Sequence, residues 1–270
     1  MKRLSLESQI SIKGGTGYFL RTADNLRILS ADTLLCETSG ATRKIGISVS
    51  SGCRVGCRYC FTNKYSCYRQ LSQRELCEQV SFVLERNPTF ESSSALKVSL
   101  KQMGDPALNS RQVLAALRLF AGDYPDAMLV VSTSAPKIEA GFFEGLQKLQ
   151  DSGANIRLQF SCHTTSDAER GFLSHKIPMM SLAEIGVVAN RWNGQRVTLN
   201  FVVFEGYSYD VEVLEKHFNP DKVLIKINYI DRNTQTEKNE FRDVVASQKH
   251  AFVESLQRAG YKLAHRKLFA

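Results

Sequence analysis

The sequence IGISVSSGCRVGCRYC, residues Ile45–Cys60, decides both the fold and the chemistry expected of this chain. Its first part, Ile45–Ser50, is rich in β-branched residues and predicts a strand. Three cysteines follow at CxxxCxxC spacing, namely Cys53, Cys57 and Cys60. A loop that leaves the end of a strand is able to fold three such sulfurs around one metal cluster. The stretch therefore predicts a strand that leads into a metal-binding loop.

Zinc and iron–sulfur chemistry make different demands on this triplet. A structural zinc site normally has four protein ligands, and no fourth cysteine or histidine lies at zinc-finger spacing. Three cysteines on a 4Fe-4S cube instead leave one iron open, where a substrate or cofactor is able to bind. A zinc loop or three incidental cysteines are the alternatives, and the sequence favours the cluster.

The other cysteines bear on the cellular compartment. The chain has seven cysteines, an odd number, and its first twenty residues lack the apolar core of a secretory signal. We therefore expect metal or reactive-thiol chemistry in a reducing cytoplasm rather than disulfides. Cys67 follows the triplet in a loop and is the candidate catalytic thiol. Cys36, Cys77 and Cys162 are expected to be packing thiols.

Composition excludes several protein classes. The 270 residues include 35 Lys and Arg against 27 Asp and Glu, a net charge of +8. With 23% charged and 43% hydrophobic residues, the balance is that of a globular protein and not of a disordered or collagen-like chain. No apolar run approaches the roughly 18 residues of a membrane-spanning helix, so no membrane partner is expected. The basic excess permits a nucleic-acid partner without requiring one.

Outward from the triplet, β-rich runs alternate with stretches of helical period. The predicted strands are Ile45–Ser50, Ala95–Gln102, Met128–Ser132, Ile156–His163, Arg196–Phe204 and Lys222–Tyr229. The predicted helices are Ser72–Glu85, Ser110–Phe120, Ile138–Leu149, Ser181–Arg191, Val211–Phe218 and Glu240–Ala259. Six such units predict an α/β protein with a parallel sheet, either a partial barrel or an open doubly wound sheet. In both, the active site lies at the carboxyl ends of the strands.

The first 44 residues follow another pattern. Gln9–Lys13 and Tyr18–Thr22 alternate in polarity around Gly14, Gly15 and Gly17, which predicts a β-hairpin with a tight turn. We therefore expect residues 1–44 to form a short N-terminal β-hairpin extension and residues 45–270 to form the partial barrel. No linker rich in Pro, Gly or Ser separates the two.

The triplet resembles the motif of the radical S-adenosylmethionine (radical SAM) enzymes, which is CxxxCxxC with an aromatic residue beside the last cysteine. Tyr59 and Phe61 both meet that requirement. The resemblance implies a partial (β/α)6 TIM-like barrel, in agreement with the six units. It also implies a 4Fe-4S cluster whose open iron binds S-adenosylmethionine and whose electron cleaves that cofactor to methionine and a 5′-deoxyadenosyl radical.

Further segments resemble one branch of that superfamily, the RNA adenine methyltransferases of the RlmN/Cfr type. Five segments match in order and rough spacing, from about Ile45 to Lys267. They are Val49–Cys53 against VSSQVGC, Met103–Asn109 against GMGEPLLN, Val131–Ser134 against LSTSG, Phe160–His163 against ISLHA and Lys226–Asn233 against KxNLIPxN. Asp105 stands where the branch has Glu.

The resemblance implies roles for the matching positions. Gly104 and Asp105 would hold the amino group of the methionine part of the cofactor. The rest of the cofactor site would be lined by Ser132, Ser161, His163 and Asn233. Each lies at or just beyond the end of a predicted strand, where such folds bind ligands.

Two departures from the branch concern methyl transfer. Those enzymes use two further cysteines, and the position of one, seven residues before Cys53, is Gly46 here. The other belongs to a C-terminal segment that would begin near Tyr261–Lys267, whereas this chain ends at Ala270. The small N-terminal accessory domain of the branch is also missing. Because methyl carriage needs a thiolate, the resemblance implies the cofactor chemistry but not the methylation of RNA adenine.

Strand alternation predicts a basic interior for the barrel. Lys97, Ser99 and Lys101 share one side of their strand, opposite Val98 and Leu100. The corresponding polar sides of two later strands carry Arg157, Gln159, Ser161 and His163, and Lys226 and Asn228. Buried cations pair with carboxylates or bind an anionic ligand, and the sequence leaves both alternatives open.

These observations lead to one functional prediction and two alternatives. We expect a radical SAM enzyme that abstracts hydrogen from a polar, anionic small molecule or peptide and takes its electron from an external donor such as flavodoxin or ferredoxin. One alternative keeps RNA as the substrate, with methyl transfer by another route. The other is a non-catalytic iron–sulfur protein. The substrate and the oligomeric state are not specified by the sequence.

Overall fold

The computed structural model describes residues 4–37, 40–87, 95–137, 141–174 and 176–264. At residues 35–37 it describes the backbone only. The chain forms two compact units. The first unit comprises Met1–Arg54, Tyr65–Ser132 and Ile138–Ile156. The second comprises Val55–Lys64, Thr133–Lys137 and Arg157–Ala270.

The described residues of the first unit form eight strands. They are β1 (Ser5–Ile12), β2 (Gly15–Arg21), β3 (Arg27–Glu37), β4 (Gly40–Ile47), β5 (Ser50–Ser51), β6 (Arg69–Gln70), β7 (Ala95–Leu100) and β8 (Met128–Thr133). Strands β1 to β4 form an antiparallel meander, and β7 and β8 continue it in parallel, in the order β1-β2-β3-β4-β7-β8. The short β5 and β6 pair separately.

Among its described residues, the first unit also contains three α-helices, α1 (Gln73–Arg86), α2 (Ser110–Asp123) and α3 (Phe142–Asp151). Helix α1 begins at a capping box, in which Ser72 and Glu75 each satisfy an amide of the other. Its buried face packs on β3 and β4. Each fully buried aliphatic side chain in this layer, such as Ile45 or Val98, contributes about 1.5–3 kcal/mol to folding.

The second unit is built on four parallel strands in the order β9 (Ile156–Ser161), β10 (Val197–Val202), β11 (Val223–Asn228) and β12 (Lys262–Leu263). Its helices are α4 (Asp167–Leu173), α5 (Leu182–Arg191), α6 (Val211–His217), α7 (Thr234–Lys238) and α8 (Ala246–Arg258). Alternate strand residues such as Phe160, Phe201 and Ile225 are fully buried, as the period-two pattern predicts.

The six predicted strands are all present, as β4 and β7 to β11, and each predicted helix has its counterpart. The hairpin around Gly14 is also confirmed, because β1 and β2 pair from Ser5 to Arg21. The first residues of the predicted helix Ile138–Leu149 lie outside the described residues. Strand β3 and helices α4 and α7 were not predicted. The division at residue 44 stays a prediction, and residues Gly40–Ile47 form one strand there.

Among the described residues, no helix combines the length and the apolar character needed to cross a membrane.

Candidate cofactor-binding site

The cysteine motif belongs to both units, with Cys53 at the end of a first-unit segment and Cys57 and Cys60 in the second unit. None of the six cysteines whose side chains are described forms a disulfide. Cys53 and Cys60 are half-buried and Cys57 is buried. Cys57 Sγ lies 3.7 Å from the Ser174 Oγ, and all three side chains are reduced thiols, the form from which thiolate ligands derive.

In the second unit, a tight turn holds Cys57 and Cys60. The Cys60 amide donates to the Cys57 carbonyl at 3.1 Å, and the Asn63 amide donates to the Cys60 carbonyl at 3.0 Å. Gly56 begins the turn with a left-handed φ of 67°. The positive φ favours glycine at this position, and a Cβ there would also displace the flexible side chain of Lys176, which lies 2.3 Å away.

Tyr59, between these cysteines, anchors the turn to the second unit. Its ring contacts those of His163, Phe204 and Phe241, with centroids 4.9, 5.3 and 6.2 Å away. Burial raises the pKa of the Tyr59 hydroxyl well above its usual range, and the neighbouring thiols raise it further. The phenol therefore stays protonated and serves as a packing group.

His163 is buried two residues beyond the end of β9, in a left-handed conformation with φ of 65°. Its Nδ1 accepts a hydrogen bond from the Val202 amide at 3.1 Å. Burial, together with the nearby Arg170 guanidinium, lowers the pKa of His163 to about 3. The imidazole is therefore neutral at physiological pH, and its Nε2 carries the proton.

Arg170 of α4 organises the same strand ends, and sequence reasoning missed it. Its terminal nitrogens donate to backbone carbonyls of Ser134, Ser161, Cys162 and Met180 at 3.2–3.4 Å. The side chain is 3% exposed. It thus supplies hydrogen-bond donors to loop carbonyls that regular secondary structure leaves without partners. Carbonyl acceptors carry no sequence signature, which explains why this role was not predicted.

Asn233 joins helix α7 to the cysteine turn. Its Oδ1 accepts hydrogen bonds from the Gln235 and Thr236 amides at 2.9 and 3.3 Å, as an N-cap does. Its Nδ2 donates to the Tyr59 carbonyl at 3.1 Å. Its predicted role as a cofactor ligand is untested, but its position beside the motif is clear.

Ser161, the remaining predicted residue of the second unit, is half-buried at the end of β9. It is in register with Asn200 on β10, which is in register with Lys226 on β11. The Nδ2 of Asn228 also donates a hydrogen bond to the side-chain Oδ1 of Asn200. The polar faces predicted for these strands are thus aligned in one row across the second unit.

In the first unit, Gly104 and Asp105 form a loop directly after β7. Gly104 has φ of 88°, and a Cβ there would lie 2.0 Å from the Ser50 Oγ. The Val49 amide donates to the Met103 carbonyl at 2.8 Å, which ties the two loops together. Asp105 is buried, and its Oδ1 accepts a hydrogen bond from the Ala107 amide at 3.0 Å.

Tyr68 links the chemistry of Cys53 and Asp105 within this unit. Burial raises the pKa of the Tyr68 hydroxyl, a hydrogen bond with the Gln70 side chain lowers it, and the nearby Cys53 and Asp105 side chains raise it. The first cysteine of the motif and the predicted acidic residue therefore share one electrostatic environment. Ser132, the other residue predicted here, is half-buried near the end of β8.

Asn109 is a second residue that sequence reasoning missed. Its side-chain amide donates to the Val49 and Leu71 carbonyls, both at 2.8 Å. It is buried and connects the segment before Cys53 with the segment after the motif. Asn109 belongs to the matched segment Met103–Asn109, which marked it as a candidate site residue, but the resemblance implied no role for it.

The remaining cysteines differ in environment. Cys67 is exposed, as predicted for a loop thiol. A Cβ built on Gly52 would lie 2.2 Å from the backbone carbonyl oxygen of Cys67. Cys162 is buried, and burial raises its pKa to about 11, as expected of a packing thiol. Cys77 is only half-buried. The side chain of Cys36 lies outside the described residues.

The donor chemistry of the motif fits an iron–sulfur cluster. Within the described ranges, no three Cys, His, Asp or Glu side chains are grouped to bind a single metal ion. A 4Fe-4S cluster has a different requirement, because each thiolate binds its own iron. Cys53, Cys57 and Cys60 are the residues that would hold it, and this assignment stays a prediction.

Comparisons of sequence point to one group of enzymes. No family model matches the chain. It is 26% identical over 251 residues to the probable dual-specificity RNA methyltransferase RlmN of Symbiobacterium thermophilum, covering 92% of this chain and 66% of that protein. A protein of the same name from Chloroherpeton thalassium is 26% identical over 257 residues, covering 93% of this chain and 68% of its own length. The chain thus spans about two thirds of the length of these relatives.

Comparisons of structure agree. A radical SAM methyltransferase from Sphaerobacter thermophilus matches with a TM-score of 0.79 at 19% identity, covering 98% of this chain and 77% of that one. Streptococcus suis SuiB bound to S-adenosylmethionine matches with a TM-score of 0.59 at 14% identity, covering 83% of this chain and 51% of that one. The likeness confirms the predicted fold class, a partial TIM-like radical SAM fold with N-terminal hairpin strands. The sequence relatives are thus named as RNA methyltransferases, and the structural likeness to radical SAM enzymes shows the fold.

Proposed function

We propose that this chain is a radical SAM enzyme in which Cys53, Cys57 and Cys60 hold a 4Fe-4S cluster. The observation that carries the proposal is the CxxxCxxC motif directly after β4 and the β5 segment, with all three thiols outside disulfides. When bound, the cluster would supply the electron that cleaves S-adenosylmethionine to methionine and a 5′-deoxyadenosyl radical.

The chain's own residues support cofactor binding in both units. Gly104 lets the loop after β7 pack closely on Ser50 at a positive φ, which would hold the neighbouring Asp105 in place. Asp105 uses one carboxylate oxygen as a helix cap, and a carboxylate suits the amino group of the methionine part. In the second unit, neutral His163 offers an Nε2–H donor without adding charge.

Ser132, Ser161 and Asn233 complete the proposed cofactor site. Asn233 is held by its own capping bonds and donates to the backbone of the cysteine turn, so it would position that turn. Ser132 and Ser161 are half-buried hydroxyls near the ends of β8 and β9. Hydroxyls at strand ends suit the ribose and carboxylate groups of the cofactor.

The proposed substrate is a polar, anionic small molecule or peptide that loses a hydrogen atom. The cationic strand faces, with Lys97 in the first unit and Arg157 and Lys226 in the second, support an anionic substrate. The electron would come from an external donor such as flavodoxin or ferredoxin, in the cytoplasm.

RNA is the second candidate substrate. The names of the matched relatives and the net charge of +8 favour it. Gly46 is evidence against the methyl-transfer route of the RlmN/Cfr type, because glycine supplies no thiolate at that position.

The test is anaerobic reconstitution with iron and sulfide, followed by reductant and S-adenosylmethionine. We expect 5′-deoxyadenosine by mass spectrometry from the wild type and none from Cys60→Ser. Cys67→Ser is the matched control, because its thiol is exposed and outside the motif. As the candidate catalytic thiol, Cys67 would act on the substrate and not on the cofactor, so the variant should keep full cleavage. Cleavage that survives Cys60→Ser, or a wild type that binds no cluster, contradicts the proposal.

A parallel reaction with added RNA separates the two substrates. Formation of S-adenosylhomocysteine only when RNA is present would favour the RNA methyltransferase. An unchanged yield of 5′-deoxyadenosine and no S-adenosylhomocysteine when RNA is added would favour hydrogen abstraction from another substrate.

A further inference from the structure

The carboxyl end of helix α4 lies against the cysteine turn of the second unit. The Arg58 amide donates to the Leu173 carbonyl at 2.9 Å, and the Arg58 Nε donates to the Phe172 carbonyl at 2.9 Å. The Arg58 guanidinium also lies over the Phe172 ring, 4.1 Å from its centroid. The last carbonyls of a helix have no partner within it, so the turn supplies donors that α4 lacks. The turn and the helix end therefore hold each other in place.

Ser174 follows these residues and brings a hydroxyl to the turn. Its amide donates to the Arg170 carbonyl at 3.0 Å, which fixes its backbone at the end of α4. Its Oγ lies 3.7 Å from the Cys57 Sγ, a hydrogen-bond distance for sulfur. Ser174 is 7% exposed and Cys57 is 8% exposed. The contact is therefore shielded from water, which strengthens a hydrogen bond.

The direction of this hydrogen bond depends on the protonation of Cys57. In the free thiol, either atom is able to donate. Ligation to iron removes the thiol proton, so the sulfur is then an acceptor only and the Ser174 O–H is the donor. Ser174 therefore donates to Cys57 in the state in which Cys57 is a cluster ligand.

Tyr59 packs on the second unit and also brings a second hydroxyl to the same sulfur. Its side chain forms a hydrogen bond with Cys57, and its phenol stays protonated because it is buried beside the thiols. A protonated phenol next to a thiolate is a donor. Among the described residues, no side chain forms a hydrogen bond with the Cys60 sulfur. Hydroxyl donors are thus concentrated on one of the two sulfurs of the turn.

We propose that the hydroxyls of Ser174 and Tyr59 raise the reduction potential of the cluster by donating hydrogen bonds to the Cys57 sulfur. Reduction adds one electron from the external donor, and hydrogen bonds to the ligand sulfurs set the potential at which this occurs. A donor stabilises the more negative, reduced form more than the oxidised form. The proposal rests on the proposed function, since it needs a cluster at Cys57. It adds two positioning residues that make the cluster easier to reduce.

The test is a redox titration of the anaerobically reconstituted protein, in which electron paramagnetic resonance reports the fraction of reduced cluster at each potential. S-adenosylmethionine is left out, so the readout does not depend on cofactor cleavage. Ser174→Ala should lower the equilibrium constant for reduction about tenfold, which for a one-electron couple lowers the midpoint potential by about 59 mV. Tyr59→Phe, which keeps the ring, should shift the potential in the same direction.

Two further serine variants separate the hydroxyl from the rest of the side chain. Ser174→Thr keeps a hydroxyl and should retain the wild-type potential. Ser247→Ala removes an exposed hydroxyl from α8 and should leave the potential unchanged. Iron and sulfide content per chain is measured for every variant and should equal that of the wild type, because the three cysteines are unchanged.

Three kinds of outcome would overturn the proposal. They are a wild-type potential in Ser174→Ala or Tyr59→Phe, a shift in Ser174→Ala that Ser174→Thr shows as well, and a Ser174→Ala variant that binds less iron than the wild type. The second would mean that packing and not the hydroxyl sets the potential. The third would mean that the hydroxyl holds the turn in place and has no separate electronic role.

A failure of the proposed function gives different results. A wild type that binds no cluster would overturn the proposed function and this inference with it. A cluster that cleaves S-adenosylmethionine but keeps its potential in Ser174→Ala would overturn this inference alone. Predicted shifts of potential in a protein that cleaves no S-adenosylmethionine would count against the proposed function alone.

Discussion

Buried polar side chains differ in their hydrogen bonding between the strand-end loops of the second unit and the strand face of the first unit. In the second unit, the terminal nitrogens of Arg170, the Nδ1 of His163 and the amide of Asn233 are all hydrogen-bonded to the backbone. In the first unit, the fully buried hydroxyl of Ser99 has no partner among the described residues. Saturated groups hold a scaffold in place, whereas an unsatisfied one is kept at a cost to stability. The Nε of Arg170 is also buried without a hydrogen-bond partner among the described residues, so the difference concerns what the groups connect: the second-unit side chains tie loops to the backbone, and the Ser99 hydroxyl ties nothing.

The largest expected effect concerns Arg170. Arg170→Met removes donors from four backbone carbonyls near buried strand ends, so we expect the free energy of unfolding to fall by about 3 kcal/mol. Urea denaturation measures this loss. Arg191→Met, at an exposed position of α5, is the control and should change stability by less than about 0.5 kcal/mol. If both variants lose the same free energy of unfolding, Arg170 stabilises the fold no more than an exposed arginine does.

His163 gives the second effect, a dependence of stability on pH. Its pKa is about 3 in the folded chain against 6.5 for the free side chain. Since the unfolded state binds the proton more readily, the contribution of His163 is complete above pH 6.5 and is lost as the pH falls toward 3. We expect a loss of about 2 kcal/mol between pH 6.5 and 5.

The His163→Asn variant isolates this contribution. Asparagine tolerates the left-handed backbone of this position and does not titrate. The difference between the two stability–pH curves, measured by urea denaturation, should therefore vary with pH below 6.5 and be flat above it. A difference that is constant with pH would show that the imidazole is not held neutral by its surroundings.

The smallest effect compares two glycines of the first unit. Gly104→Ala places a Cβ 2.0 Å from the Ser50 Oγ at a φ of 88°, and should lower stability by about 1–2 kcal/mol. Gly122→Ala lies in α2 with open space around it and should raise stability by up to about 1 kcal/mol. Thermal unfolding separates the two. A neutral Gly104→Ala would mean that the loop after β7 is not closely packed on Ser50.

The parallel strands were predictable because their alternate residues are aliphatic and buried, as in β7 and β11. Strand β3 was missed because its buried face carries Ser30 and Asp32, which pair with Gln79 and Arg43. Polar residues in buried positions hide the period-two pattern on which strand prediction depends. Only the folded structure supplies the partners that make such positions stable.

The predicted site residues were reached mainly through short motifs. Gly104 is explained by its backbone conformation, and Asn233 by the helix that it caps. Arg170 and Asn109 were not predicted, because they bind backbone carbonyls that every residue possesses. Ser99 was placed on the correct side of its strand from alternation, but its lack of a partner is a property of the packing and not of the sequence.

The most direct test of the account is electron paramagnetic resonance of the reduced, anaerobically reconstituted protein before and after addition of S-adenosylmethionine. We predict the signal of a reduced 4Fe-4S cluster in the wild type and in Cys67→Ser, shifted in both by the cofactor, and no such signal in Cys60→Ser. A cluster signal that S-adenosylmethionine leaves unchanged would contradict an open iron at Cys53, Cys57 and Cys60, and with it the proposed chemistry.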